Sequence, residues 1–435
     1  MRIPRILTIV SLFLAASGLA GAQDFGFGDT ATTDSSSSST APAVEVSGKV
    51  TSSTTLFADN FDSIDEVGDA SIGDLFTGEL KFSATGSNVD GVIDLDVNQE
   101  DELFSINEAY LTAYYGKLDV ETGIKKIIWG KADSDGPLSV INPVDYSDMT
   151  VTDNLERRIG VPLLHMSYAL GMFSKLEGVF VPYAKQDNYD ESGVWKPGRI
   201  ALLESYVADP SVTVNGLNKD TSTLQYSQGG VRFTTTVGTS DIGFQYYYGV
   251  LTSPSAHFTS QTSIDLEYNR YHQIGADYAS VWAGFNVRAE LAGFITEDLD
   301  GDDGAVKNPF LVGNFGFDRD LWGGVNLNLQ GDLRYRLMDD QITDNASDSE
   351  YDTDLTKTTI RAKLNKKFNK DEFETKLTTV YEVEDADYYI IPGFVWSKGE
   401  TELEAVYGIF GGDEDGQLGY YDNNDYFKIS LSYSF

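Results

Sequence analysis

Residues 321 to 337, LWGGVNLNLQGDLRYRL, decide the fold. Leu321, Gly323, Val325, Leu327, Leu329, Gly331, Leu333, Tyr335 and Leu337 share one parity, while Asn326, Asn328, Gln330, Asp332, Arg334 and Arg336 share the other. A pleated strand has a side-chain period of two, so this stretch carries one apolar face and one wet, charged face. The pattern recurs. Val281, Ala283, Phe285, Val287, Ala289 and Leu291 oppose Asn286, Arg288 and Glu290, and Phe373, Leu377, Tyr381 and Val383 oppose Glu372, Glu374, Lys376 and Glu382. So much charge on the alternate face of long strands leaves few positions for the shared dry core of a soluble sandwich.

Working outward, the connections fall into two classes. Those near 87–90, Gly116-Lys117, 171–173, Thr239-Ser240, 279–281, 318–320, Asn369-Lys370 and Lys398-Gly399 are tight. Those near 58–73, 98–103, 130–160, 184–222, 253–261, 298–306, 339–353 and 411–424 are mostly longer and often acidic, and one near 384–387 is a short exception. The expected fold is all-β: a transmembrane antiparallel up-and-down β-barrel of about eighteen strands, or sixteen if two weak segments belong to loops, with short periplasmic turns and long extracellular loops. The final stretch agrees, since Phe427, Ile429, Leu431, Tyr433 and Phe435 alternate with Lys428, Ser430, Ser432 and Ser434. A chain ending on an aromatic residue in such a strand resembles the signal read by outer-membrane barrel assembly machinery, which assigns that role to Phe435.

Composition and the leader set the compartment. Residues 1–22 have Arg2 and Arg5, an apolar run from Ile6 to Ala16 and Ala20-Gly21-Ala22 as a small-residue cleavage site, the pattern of a signal peptide. Residues 23–43 are a Ser/Thr-rich lead, too polar to pack and read as a flexible periplasmic arm, and the barrel is expected over 44–435. Loss of Arg2 and Arg5 takes the formal charge from −37 to −39, a poor match to nucleic acid. The chain has no cysteine, which excludes disulfides and thiolate metal sites. The implied location is the outer membrane of a didermic bacterium.

The residues offer little for catalysis or metal binding. Asp298-Leu-Asp300-Gly-Asp302-Asp303 opens like a calcium loop but has Asp303 where such a loop needs glycine and Pro309 where it needs glutamate. His165 and Ser167 share a lumen-side face, yet neither an orienting acid nor an oxyanion donor can be assigned to them. No catalytic residue, metal ligand or cofactor is therefore assigned. The charged face is more informative: Arg288, Glu290, Arg334, Arg336 and Arg361 fall on it and are expected to line a water-filled lumen.

One loop stands apart. Residues 127–149, IIWGKADSDGPLSVINPVDYSDM, follow an expected fifth strand over Leu118 to Trp129, with the indole near the outer aromatic girdle or just inside the mouth. A loop in this position resembles the one that folds into the barrel of general porins. Pro137 and Pro143 stiffen it and Gly130 and Gly136 permit sharp bends, while Lys131, Asp133, Asp135, Asp145, Asp148, Asp153, Glu156, Arg157 and Arg158 are candidates to set charge at a constriction. Gly123, Trp129 and Gly130, then Ile141, Asn142, Pro143 and Asp145, are similar to two motifs of the outer-membrane family catalogued as domain of unknown function 1302. The resemblance implies a porin-like barrel of unsettled substrate, some relatives being suspected of moving hydrophobic or lipid-like molecules. That family has an acidic residue after Trp-Gly where this chain has Lys131.

These readings converge on a passive channel for small solutes, not an enzyme, with the acidic loop 130–160 as its constriction and a preference for cations. A transporter of hydrophobic or lipid-like substrates and a surface adhesin or structural barrel are the alternatives. Expected partners are outer-membrane lipids, the barrel assembly machinery and small solutes, and the oligomeric state is left open.

Overall fold

In the computed structural model the described residues are 43–57, 71–98, 103–133, 135–217 and 219–435. The expected leader, the Ser/Thr-rich lead before Ala43 and most of the loops near 58–73 and 98–103 lie outside them.

Eighteen strands form one sheet among the described residues. They are β1 (Ala43–Phe57), β2 (Ser71–Thr85), β3 (Val89–Asn98), β4 (Phe104–Tyr115), β5 (Leu118–Lys125), β6 (Val161–Ala169), β7 (Ser174–Val181), β8 (Gln228–Val237), β9 (Ser240–Val250), β10 (Arg270–Trp282), β11 (Phe285–Thr296), β12 (Phe310–Asp320), β13 (Val325–Arg336), β14 (Thr356–Phe368), β15 (Phe373–Glu382), β16 (Asp387–Lys398), β17 (Thr401–Gly411) and β18 (Tyr426–Ser434). Each pairs antiparallel with the next. The sheet closes where β18 pairs with β1, from Lys49↔Ser434 to Phe57↔Tyr426, and where Phe435 and Gly48 exchange backbone hydrogen bonds of 2.9 and 3.0 Å. Closure satisfies both edges, which an open sheet of this length leaves as unpaired donors and acceptors.

Side-chain parity follows the sequence pattern. Leu164, Met166 and Tyr168 of β6, Leu311 and Phe315 of β12, and Leu333 and Tyr335 of β13 are exposed on the outer face. So many large apolar side chains facing outward are unfavourable in water and suit a hydrocarbon surround. The short-turn rim carries exposed aromatics, among them Tyr115, Phe173, Trp282 and Trp322. Inward positions are polar: the register places Asp277 opposite Glu290, Glu290 opposite Asn314 and Asn314 opposite Asp332, and Arg232 reaches Asp277 at 2.6 Å.

Several expected boundaries move. The strand pattern runs through Val281 and Trp282, so the turn is at Ala283-Gly284, with φ of 51° and 81°, and Ala283 is not an outward strand residue. Leu321 to Gly324 likewise form the turn before β13. The loop expected at 253–261 is a small hairpin, Ser255–Ser260 against Ser263–Glu267, joined by Thr213–Asn215 in a separate sheet. Within 184–222 lies a helix, α1 (Gly198–Ala208), with no periodic apolar face to betray it. The strand count of eighteen holds and the alternative of sixteen does not.

Candidate functional site: two segments folded into the lumen

The wall changes character after Lys125. β5 ends there, four residues short of the expected boundary at Trp129, because the next donors leave the sheet: Lys126 N–H donates to Glu108 Oε1 (2.8 Å) and Ile127 N–H to Asn142 Oδ1 (2.7 Å). Trp129 is therefore not a girdle residue. Its side chain is buried against Tyr247 of β9, ring centroids 6.3 Å apart and nearly perpendicular. With Ile127, Leu138 and Ile141 it covers an apolar stretch of inner wall made by Val161, Leu163, Val179, Val181, Tyr271, Phe294 and Phe310.

Polar inward side chains then hold the backbone of this segment. Glu290 of β11 accepts from the amides of Lys131, Ala132 (2.7 Å) and Leu138 (3.3 Å). Gln245 of β9 donates to Leu138 O (2.9 Å), Gln273 of β10 to Pro137 O (2.6 Å), and Gln330 of β13 accepts from Asp133 N–H (3.2 Å). A buried carboxylate taking several backbone amides is a charge-assisted cap, stronger than neutral hydrogen bonds. Gly130 is required beside it: φ is +104°, and a Cβ there would lie 2.3 Å from Glu290 Oε1.

The motif residues gather at the root of the segment. Asn142, 2% exposed, accepts from Ile127 and donates to Lys125 O (3.0 Å) and Ile159 O (2.9 Å), so one amide ties the departing and returning chain together. Pro143 is buried beside it, Asp145 caps Ser147 (2.9 Å), and Gly123 sits in β5 with φ of +135°.

The charged candidates divide by role. Asp135 receives Arg157 and Arg158, both at 2.6 Å, and Arg158 also reaches the carbonyls of Asn142 (2.9 Å) and Ser139 (3.3 Å). Asp133 meets Arg288 (2.7 Å) and Asn328 (2.8 Å). Asp148 and Asp153 cap Thr150 and Leu155, each at 2.8 Å, and Glu156 is exposed. Lys131 stands 3.9 Å from Asp241. Arg334 stacks on Phe310 at 4.3 Å and approaches Glu350, and Arg361 pairs with Asp332. Three expected lining residues are instead structural. Glu290 and Arg158 are enclosed by the segment they hold, and Arg336, 6% exposed, clamps Asp339 (2.6 Å) and Thr353 O (2.9 Å) in the loop beyond β13. His165 lies between Glu121 (2.8 Å) and Glu177 (3.3 Å), so both ring nitrogens face carboxylates and neither is directed to Ser167.

A second segment, between β7 and β8, was not foreseen as part of the site. Val144 N–H donates to Asp187 Oδ1 (2.8 Å), Asn188 N–H to Val144 O (3.0 Å), and Tyr146 stacks on Tyr189 at 5.4 Å, which joins the two segments. Lys185 reaches Gly160 O (2.8 Å), and burial pulls its amine below the usual lysine range. The segment then carries Trp195 to the wall of β16 to β18, where it packs with Phe410, Tyr421, Tyr426 and Phe57. Alternation could have exposed these partners: Gln245, Gln273, Ile391 and Phe410 all occupy inward positions, and the apolar ones need a cover in a wet lumen.

No family model matches the chain, and no curated protein matches it. Among solved structures it is similar to OccAB3 of Acinetobacter baumannii, at 9% identity over 90% of this chain and 99% of that one, with a TM-score of 0.50. It is also similar to OccK9 (OpdG) of Pseudomonas aeruginosa, at 10% identity over 90% and 98%, with a TM-score of 0.49. The outer membrane channel DcaP of Acinetobacter baumannii aligns at 11% identity over 92% and 99%, with a TM-score of 0.44. The likeness is one of fold: this chain is a closed, eighteen-stranded, porin-like antiparallel barrel.

Proposed function

We propose that the chain is an outer-membrane channel for passive passage of small polar solutes, with residues 130–160 as its constriction. The observation that carries this reading is the grip of Glu290, Gln245, Gln273 and Gln330 on the backbone of that segment. A loop held by inward side chains of four strands occupies lumen cross-section, while charged pairs on the uncovered wall, Lys376 with Glu404 and Arg361 with Asp332, stay partly exposed and favour water there. The segment has six carboxylates against three basic side chains, so a modest cation preference is expected, trimmed by the ion pairs of Asp133 and Asp135.

On the same reading the protein is exported by a cleaved signal, inserted by the assembly machinery that reads the Phe435 strand, surrounded by outer-membrane lipids, and has no catalytic role. Its motifs at Trp129-Gly130 and Ile141 to Asp145 associate it with the family named above. Planar-bilayer recordings test the proposal: discrete conductance steps with a reversal potential on the cation side are expected. Absence of steps, or marked anion preference, overturns it. The inner patch of Ile391, Val406, Phe410 and Tyr426 favours the second reading, a transporter of hydrophobic molecules. Lipid retained through mild detergent purification, together with no conductance, would select that reading.

A further inference from the structure

The turn between β15 and β16 is the shortest connection on the long-loop rim, and it concentrates acid. Glu382 and Asp387 are register partners closing the hairpin, and Asp385 lies in the turn between them. Each brings one carboxylate oxygen to within 4.8 Å of the others. Oxygens bound to one calcium ion lie about 2.3–2.6 Å from it, so opposite ligands stand at most about 5 Å apart, whereas magnesium demands a tighter shell. The set contains neither sulfur nor imidazole, which suits a hard cation.

Asp387 supplies an independent sign. Its side chain is fully buried (0% exposed), and its Oδ2 accepts from the amides of Leu418 (2.5 Å) and Gly419 (3.2 Å). Its Oδ1 is buried with no hydrogen-bond partner among the described residues. A buried carboxylate oxygen without a donor is strongly unfavourable unless a cation meets it. The surroundings supply too little positive charge. Lys357 stands 2.7 Å from Glu382 Oε2 but also donates to Gln417 (2.8 Å), and Glu384 is committed to Thr358 and Thr356.

We propose that Glu382, Asp385 and Asp387 form a calcium site at the long-loop end of the β15–β16 hairpin. The ion relieves the repulsion among the three carboxylates and gives Asp387 Oδ1 its missing partner. It also braces the loop that Asp387 caps, and that loop carries Tyr421, whose hydroxyl donates to Trp195 O (3.0 Å). The site thus lies one step behind the Trp195 dock.

Equilibrium dialysis of the detergent-solubilised full chain against calcium, after chelator treatment and at physiological salt, tests this. One site is expected with a dissociation constant of about 10⁻⁴–10⁻³ M, as in exposed extracellular calcium modules. Asp385→Asn and Glu382→Gln should each weaken it at least about tenfold, and Asp300→Asn, on another acidic loop, should leave it intact. Calcium should also slow proteolysis within 412–425 in the wild type and not in Asp385→Asn. If Glu382→Gln fails to form a barrel, Asp385→Asn, in the turn, still decides. Equal calcium binding in the wild type and Asp385→Asn, equal loss in Asp300→Asn, or no site in the wild type at millimolar calcium overturns the proposal.

Discussion

The two lumen segments reach opposite walls by opposite means. Residues 130–160 are fixed by buried polar groups: Glu290 caps three amides, and Gln245 and Gln273 each take a specific carbonyl. The segment between β7 and β8 meets the far wall through one aromatic, Trp195, whose ring lies 5.3–5.9 Å from those of Phe410, Tyr421, Phe57 and Tyr426. Around that ring Tyr421 and Asn424 add side-chain hydrogen bonds at Trp195 O and Val194 O, while nearer β7 the segment is tied by Asp187 to Val144 and Thr252 and by Lys185 to Gly160 O. Polar docking specifies a single position, because any displacement strands buried donors; aromatic docking tolerates sliding and at Trp195 leaves few polar groups to strand. The first segment is therefore held at fixed polar positions, and the Trp195 end of the second is the part with the weaker positional constraint.

Removing the anchor of each should separate them. Glu290→Ala leaves three amides of Lys131, Ala132 and Leu138 without an acceptor, at about 1–3 kcal/mol each, so the segment should lose about 3–9 kcal/mol of docking free energy. Hydrogen exchange over 130–140 should rise by orders of magnitude and single-channel conductance should increase. Unchanged exchange there would mean the amides have other partners. Trp195→Ala should weaken the second dock by about 3–5 kcal/mol, the range for truncating a buried tryptophan. Proteolysis within 184–222 should accelerate while exchange over 130–140 stays as in the wild type. If both segments loosen together, the Val144–Asp187 junction couples them and the contrast fails.

The same contrast explains what was legible in the sequence. Alternation at 325–336 and the two loop classes carried the barrel, its strand number and the inward face, since period two is a local signal. The special status of 130–160 was legible from its prolines, glycines and motif residues. What ended β5 at Lys125 was not, because Asn142 and Glu108 compete for the donors of Lys126 and Ile127 from 15 and 18 residues away. Trp195 was hidden for a similar reason: its partners lie on β1, β17 and β18, and nothing local marks it as an anchor. The charges of Asp133 and Asp135 were visible as carboxylates, but their neutralising partners were set by the fold.

That neutralisation gives a smaller prediction. Asp135→Asn removes the anion shared by Arg157 and Arg158; Arg158 keeps its carbonyls, while Arg157, stacked over Tyr146 at 5.4 Å, loses its only ion pair among the described residues. The cation-to-anion permeability ratio should fall about twofold, the scale of a single partly exposed charge in a wide, salt-filled lumen. An unchanged ratio would place Arg157 away from the conducting path.

The smallest effect expected is one of pH. Lys307 precedes β12 in the long-loop region, near Arg334, Arg199, Glu350 and Asp187, and its amine is pushed down to about 8, first by burial and then by the neighbouring Arg334. Below that value the group is a cation in the upper lumen; above it the charge is gone. Raising the pH from about 7 to about 9, a span in which ordinary lysine and carboxylate groups do not titrate, should therefore shift the reversal potential toward cations. Lys307→Met should show the high-pH value throughout and lose the step. A step that persists in Lys307→Met belongs to another group, and a shift toward anions contradicts the sign required of a vanishing positive charge.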